Sequence, residues 1–146
     1  MFAHLHTHSY YSLLDAVASP EELILAAKKH KMKALAITDN NALYGAVEFF
    51  QLAKEYNIKP IIGAELTLLD GSKLISLVKN KIGYGNLCQI ISKGQLGGGH
   101  LSFKLTIKDL FKYKEGLIIL SGGHKGRIHQ LLSRHDLPAA RYMAGW

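Results

Sequence analysis

Short apolar runs alternate along this chain with stretches of helical period, and that alternation constrains the fold more than any other feature. Residues 2–6, Lys33–Thr38 (KALAIT), Lys59–Leu69 (KPIIGAELTLL), Lys73–Lys79 (KLISLVK) and Gly116–Ser121 (GLIILS) read as strands. The segments between them read as helices over about 20–30, 42–56, 83–95 and 106–113, with two more over 125–134 and 138–146. Strands that alternate with helices imply mostly parallel pairing and an α/β layout. In such folds the chemistry sits at the C-terminal ends of the strands.

Local signals support these boundaries. Ser19-Pro-Glu-Glu22 is a capping box with proline in the first turn, and Leu23, Ile24 and Ala27 form the apolar stripe of its helix. Asp39-Asn40-Asn41 breaks the second strand and is expected to cap the next helix, which would bury Leu43, Val47, Phe50 and Ala53. Asp70-Gly71-Ser72 is a turn, and Thr106 is an N-cap. Leu87, Ile90 and Ile91 mark one side of the fourth-run helix, and Gly97-Gly98-Gly99 reads as linker, without the Lys-Ser/Thr of a phosphate-cradling loop.

The polar residues fall where the strand-end rule asks for them. His4, His6 and His8 alternate in the opening stretch AHLHTHSYYSLLD, so an extended backbone points them to one face, and Asp15 follows. Asp39 follows the second strand, Glu65 lies in the third, and Ser121-Gly122-Gly123-His124 follows the fifth. Imidazoles with carboxylates are a ligand set for zinc, manganese or magnesium. Lys125 and Arg127, just after a strand, are weaker candidates for phosphate oxygens, and His124 reads as a loop residue.

Bulk properties exclude several classes. With 146 residues the chain has the length of one domain with a real core, taken as residues 1–146. No apolar run reaches the ~18 residues a membrane span needs, and the histidine-rich N-terminus is no signal peptide. One cysteine, Cys88, precludes an internal disulfide and fits a reducing cytoplasm; it reads as a small residue of a helix. The net charge of +7 permits contact with nucleic acid or phosphorylated ligands. The densest basic run, Lys28 to Lys33, is explained by a solvated helix end. The last helix has no cap or closing strand, and five strands do not close a barrel, so the chain is expected to be a fragment.

Taken together and in order, HLHTHSYYSLLD, ALAITD, AVEFFQLAKEYNIKPIIGAEL, GYGNLCQIIS and EGLIILSGG resemble the PHP domain at the N-terminus of the bacterial DNA polymerase III alpha subunit. GAELTL and SGGHKGRIHQLL are more similar to the error-prone branch of that subunit. The resemblance implies a distorted (β/α)7 TIM-like barrel, here only its N-terminal part, with up to three metal ions at the strand ends. It maps metal ligands onto His6, His8, Asp15 and Glu65, the last able to bridge two ions, and places Asp39 behind them. His4 drops out of the ligand set. Three positions depart from the family's pattern: Asn40 and Lys73 stand where histidines are expected, and Gly123 where a cysteine is. The family's closing D-x-H motif would lie beyond Trp146. Asn is a weak neutral ligand, a protonated Lys repels cations and Gly offers no donor. Fewer ions than in an intact site are therefore expected.

Two functions follow from the resemblance. The first is a polymerase module taking part in DNA replication or repair synthesis, with DNA and other replication or repair subunits reached through the full-length protein and nucleotidyl transfer performed downstream. The second is a stand-alone metal-dependent phosphoesterase of the histidinol-phosphatase type. The departures at Asn40, Lys73 and Gly123 weigh against the second, because a free-standing hydrolase needs its ligands.

Overall fold

In the computed structural model, which describes residues 2–97 and 103–145, an α/β fold is built on a mixed sheet. Its elements are α1 (Pro20–Lys29), β1 (Ala34–Ile37), α2 (Ala46–Glu55), β2 (Lys59–Thr67), β3 (Lys73–Val78), α3 (Lys81–Gly97), α4 (Ile107–Lys112), β4 (Leu117–Leu120), α5 (Arg127–Ser133) and α6 (Leu137–Ala144). Among the described residues the strands form one open sheet of order β1-β2-β3-β4. Gly98 and Gly99 of the expected linker lie outside the described residues, and Gly97 closes α3.

The pairing corrects the expectation of a mostly parallel sheet. β1 and β2 are parallel, but β2 pairs antiparallel with β3, and β3 antiparallel with β4. The β2–β3 connection, residues 68–72, is too short for the crossover that parallel strands require, so it can only be a hairpin. Its tight turn is held by Asp70, whose Oδ1 accepts from the Ser72 amide at 3.0 Å and the Ser72 hydroxyl at 2.6 Å.

The opening segment is the second correction. Residues 2–6 form no strand of the sheet. The segment runs beside β1 and accepts from it at His4 O (Ala36 N, 2.9 Å) and Thr7 O (Thr38 N, 2.8 Å). The Thr7 amide, which a ladder would use, donates instead to the Thr38 hydroxyl at 2.9 Å. A side chain therefore ends the pairing just where the histidines emerge.

Helices cover the sheet through separate clusters. Ile24 and Ala27 of α1, Phe49 and Ala53 of α2, and Leu35 and Ile37 of β1 form one buried group. Ala64, Leu66, Leu74, Leu87, Ile90, Leu105 and Leu110 form a second, under α3 and α4. Ala36, Ile75 and Leu77 make a smaller third, with Ile61 and Leu120 against it. The capping box expected at Ser19/Glu22 is present, and Thr106, expected as an N-cap, also forms a box with Asp109.

α2 departs from the reading of its sequence. It begins at Ala46 rather than Ala42, and it buries Ala46, Phe49 and Ala53 while Val47 and Phe50 are exposed. AVEFFQLAKE carries two interleaved apolar stripes, and tertiary packing selects the one whose small alanines admit close approach. Asn41 does not cap it. With φ at 51° its side chain turns to β2, where Oδ1 accepts from the Thr67 amide at 2.8 Å.

Candidate metal centre

The site forms where β1 and β2 end and β3 begins. An isolated parallel bridge joins Asn40 to Glu65, so the chain leaving β1 stays beside β2. The hairpin register pairs Glu65 with Ile75 and Thr67 with Lys73. Lys73 is thereby the diagonal neighbour of Glu65 on one sheet face. The turn length thus decides that Lys73 reaches the site.

Three expected ligands converge. His6 Nε2 is 3.2 Å from His8 Nε2 and 3.4 Å from Glu65 Oε1, and His8 Nε2 is 3.6 Å from Glu65 Oε2. An ion bound at about 2.1 Å in tetrahedral geometry keeps its ligand atoms roughly 3.4 Å apart. His6, His8 and Glu65 therefore fit one ion, and their ligand atoms all lie within 4.8 Å of one another. Partial burial lowers the His6 pKa, against the pull of Glu65, and so favours the neutral imidazole that metals bind.

Asp15 lies behind His8. Its Oδ2 is 3.2 Å from His8 Nδ1 and accepts from Asn40 Nδ2 at 2.6 Å. Donation from Nδ1 leaves the His8 Nε2 lone pair directed at the cluster, the carboxylate–histidine arrangement common at metal sites. The Asn40 hydrogen bond is the main cause of a lowered Asp15 pKa.

Asp39 holds the whole N-terminal loop. It is 2% exposed, and its carboxylate accepts from the Ser9 amide (2.7 Å), the Ser9 hydroxyl (2.8 Å) and the Ser12 hydroxyl (2.7 Å). Ser12 Oγ in turn accepts from the Asn40 amide at 3.1 Å. These contacts anchor residues 9–12 between His8 and Asp15. Reading the sequence missed both serines; their signal was a pair of small hydroxyls three apart directly after the histidines.

Lys73 departs most from an ordinary metal site. Its Nζ is 2.5 Å from Glu65 Oε2 and 3.0 Å from Asn40 Oδ1. One oxygen of the Glu65 carboxylate is therefore already taken by a cation. The remaining candidates stand aside. Arg127 pairs with Asp70 at 3.4 Å on the surface, and Lys125 acts on Asp15 only through its charge. His4 packs edge-on against Phe2, its ring centroid 4.7 Å away. Gly123 and His124 belong to a 3-10 turn after β4.

The fold and the cluster define an α/β domain with a histidine–carboxylate centre at one end of its sheet. The chain belongs to the PHP domain family, whose model matches residues 4–146. It is homologous to part of DNA polymerase III alpha subunits. It is 38% identical over 99% of its length to the DNA polymerase III subunit alpha of Borreliella burgdorferi, and 39% identical over 99% to an error-prone DNA polymerase of Symbiobacterium thermophilum. The chain spans only 14% and 15% of those two relatives. Among solved structures it is similar in fold to a two-domain protein from Bacteroides vulgatus described as containing a predicted PHP-like metal-dependent phosphoesterase. That match has a TM-score of 0.58 at 16% identity and covers 92% of this chain and 41% of the other.

Proposed function

We propose that this chain is the N-terminal PHP module of a DNA polymerase III alpha subunit of the error-prone branch, serving DNA replication or repair synthesis in the cytoplasm. The observation that carries the reading is the match of almost the entire chain, at 38–39% identity, to polymerase subunits of both branches. Identity does not separate the branches; GAELTL and SGGHKGRIHQLL are what favour the error-prone one. Nucleotidyl transfer and DNA contact belong to the full-length protein, as do its contacts with other replication or repair subunits. Among the described residues no helix is long and apolar enough to cross a membrane.

In this reading the module is the first part of a distorted (β/α)7 barrel, and its role is structural. His6, His8 and Glu65 would hold one divalent ion, zinc, manganese or magnesium, with Asp15 orienting His8 and Asp39 fixing the loop. A bound ion would supply a hydroxide at neutral pH by lowering the pKa of water. Lys125 and Arg127 would meet phosphate oxygens only weakly, since Arg127 is engaged by Asp70.

The test is to express the entire reading frame that contains these residues and assay primer extension. Template-directed incorporation is the expected result. A product that extends no primer but hydrolyses p-nitrophenyl phosphate with added Mn²⁺ would replace this reading with the stand-alone phosphoesterase.

A further inference from the structure

We propose that Lys73 supplies, from within the protein, the positive charge that Glu65 would otherwise take from a second metal ion. The inference rests on membership of the PHP family and not on the polymerase reading.

Five side chains form a closed ring at the site. Lys73 Nζ contacts Glu65 Oε2 (2.5 Å), which lies 3.6 Å from His8 Nε2. His8 Nδ1 meets Asp15 Oδ2 (3.2 Å), which accepts from Asn40 Nδ2 (2.6 Å), and Asn40 Oδ1 accepts from Lys73 Nζ (3.0 Å). The ring joins the N-terminal loop, the exit of β1, β2 and β3. It therefore ties together the same elements that a shared ion would tie.

Asn40 and Lys73 act as a pair. Both stand where the resemblance expects imidazoles, and they are hydrogen-bonded to each other. The asparagine amide suits this place in both directions, accepting from the ammonium and donating to the Asp15 carboxylate. An imidazole at 40 would offer no carbonyl to Lys73. The two replacements thus make sense together and neither does alone.

The charge count agrees. Glu65 and Asp15 bring two negative charges, and Lys73 cancels one of them. The Glu65 side chain is only 3% exposed, so its carboxylate needs a fixed partner, and Lys73, 18% exposed, is held against it by Asn40. One side of the carboxylate, Oε1, remains open toward His6. The centre therefore takes one ion at most, and its architecture does not depend on that ion.

The test uses the full 146-residue chain, with metal content by mass spectrometry, Zn²⁺ and Mn²⁺ titration by calorimetry, and thermal melts with and without EDTA. The wild-type chain should hold no more than one ion, and it should stay folded in EDTA, its Tm falling by no more than about 3 °C as that ion leaves. Lys73→Met should melt about 10 °C lower in EDTA, recover with Zn²⁺, and bind Zn²⁺ at least about tenfold more tightly. Lys73→Arg, which keeps the charge, should behave as wild type toward EDTA. Lys73→His with Asn40→His should add a second ion. If Lys73→Met does not fold in EDTA, its refolding with Zn²⁺ decides: recovery supports the inference, and failure in both conditions overturns it. Two ions in the wild type, a Lys73→Met chain indifferent to metal, or a Lys73→Arg chain that matches Lys73→Met would each overturn it. None of these readouts involves primer extension, so failure here leaves the polymerase reading standing, and the reverse.

Discussion

The parallel half of the sheet, β1 and β2 with α1, α2 and the opening segment, differs sharply from the antiparallel half, β3 and β4 with α3 to α6. Every residue onto which the resemblance maps the family's ligand pattern, His6, His8, Asp15, Asp39 and Glu65, belongs to the parallel half. Two of the three departures, Lys73 and Gly123, belong to the antiparallel half, and the third, Asn40, is hydrogen-bonded to Lys73. The first half is knitted by buried polar contacts, with Asp39 taking three hydrogen bonds. The second contains an apolar cavity of about 320 Å³ between β3, β4 and the helices, lined by Leu74, Leu110, Ile119, Ile128 and Met143.

The largest expected effects probe the packing of the first half. Phe49→Ala removes a fully buried ring from the α1–α2 cluster and should destabilise the chain by about 4 kcal/mol in urea unfolding. An equal loss from Ile128→Ala, beside the cavity, would erase the contrast between the halves. Asp39→Ala strands two buried serine hydroxyls and an amide, and should cost about 3 kcal/mol. The same substitution should weaken Zn²⁺ binding about tenfold, as loss of a supporting residue does; unchanged affinity would separate Asp39 from the site.

Smaller effects should come from the second half. Gly122 has φ of 76°, and a Cβ there would lie 1.9 Å from the Lys73 carbonyl oxygen, so Gly122→Ala should cost about 2 kcal/mol. Because it displaces the start of β3, it should also disturb the Lys73 contact with Glu65, visible as a Tm that responds more strongly to metal. Thr106→Ala breaks the α4 capping box and should cost about 1 kcal/mol with no change in metal response.

The last effect is read against pH. Lys93, and after it Thr106, hold the Asp109 carboxyl down at about 2, below its ordinary 3.8. A carboxylate with a depressed folded pKa binds its proton more readily when unfolded. Its stabilisation is therefore complete above about pH 4 and is lost as the pH falls toward 2. Urea midpoints should drop across that window, and the drop should shrink in Lys93→Gln; an identical drop in both would assign the acid sensitivity elsewhere.

Much of this was legible in the sequence. The capping box at Ser19 and the N-cap at Thr106 are local chemistry, satisfied within one helical turn, and both formed. The strand runs KLISLV and LIIL declare themselves by composition. His6, His8 and Glu65, picked out by an alternating motif and a strand carboxylate, do converge in the structure. Asp15 and Asp39 were expected at the site, but the hold of Asp39 on Ser9 and Ser12 depends on contacts across more than twenty residues of sequence, and Asp15 meets His8 only because the intervening loop folds back. The phase of α2 was not legible, since two apolar stripes compete and only the neighbouring sheet chooses.

By itself, then, the chain's order of residues determined the α/β class, the starts of α1 and α4 and the kind of chemistry the strand ends could hold. Those are matters of period, capping and ligand type, all set within a few residues. Tertiary structure alone decided that the sheet is mixed, that residues 2–6 run beside β1 without joining the sheet, and that Lys73 lies against Glu65. The first and the last depend on the register of the β2–β3 hairpin, set by a five-residue turn, and the second on a threonine hydroxyl thirty-one residues away from the amide it meets.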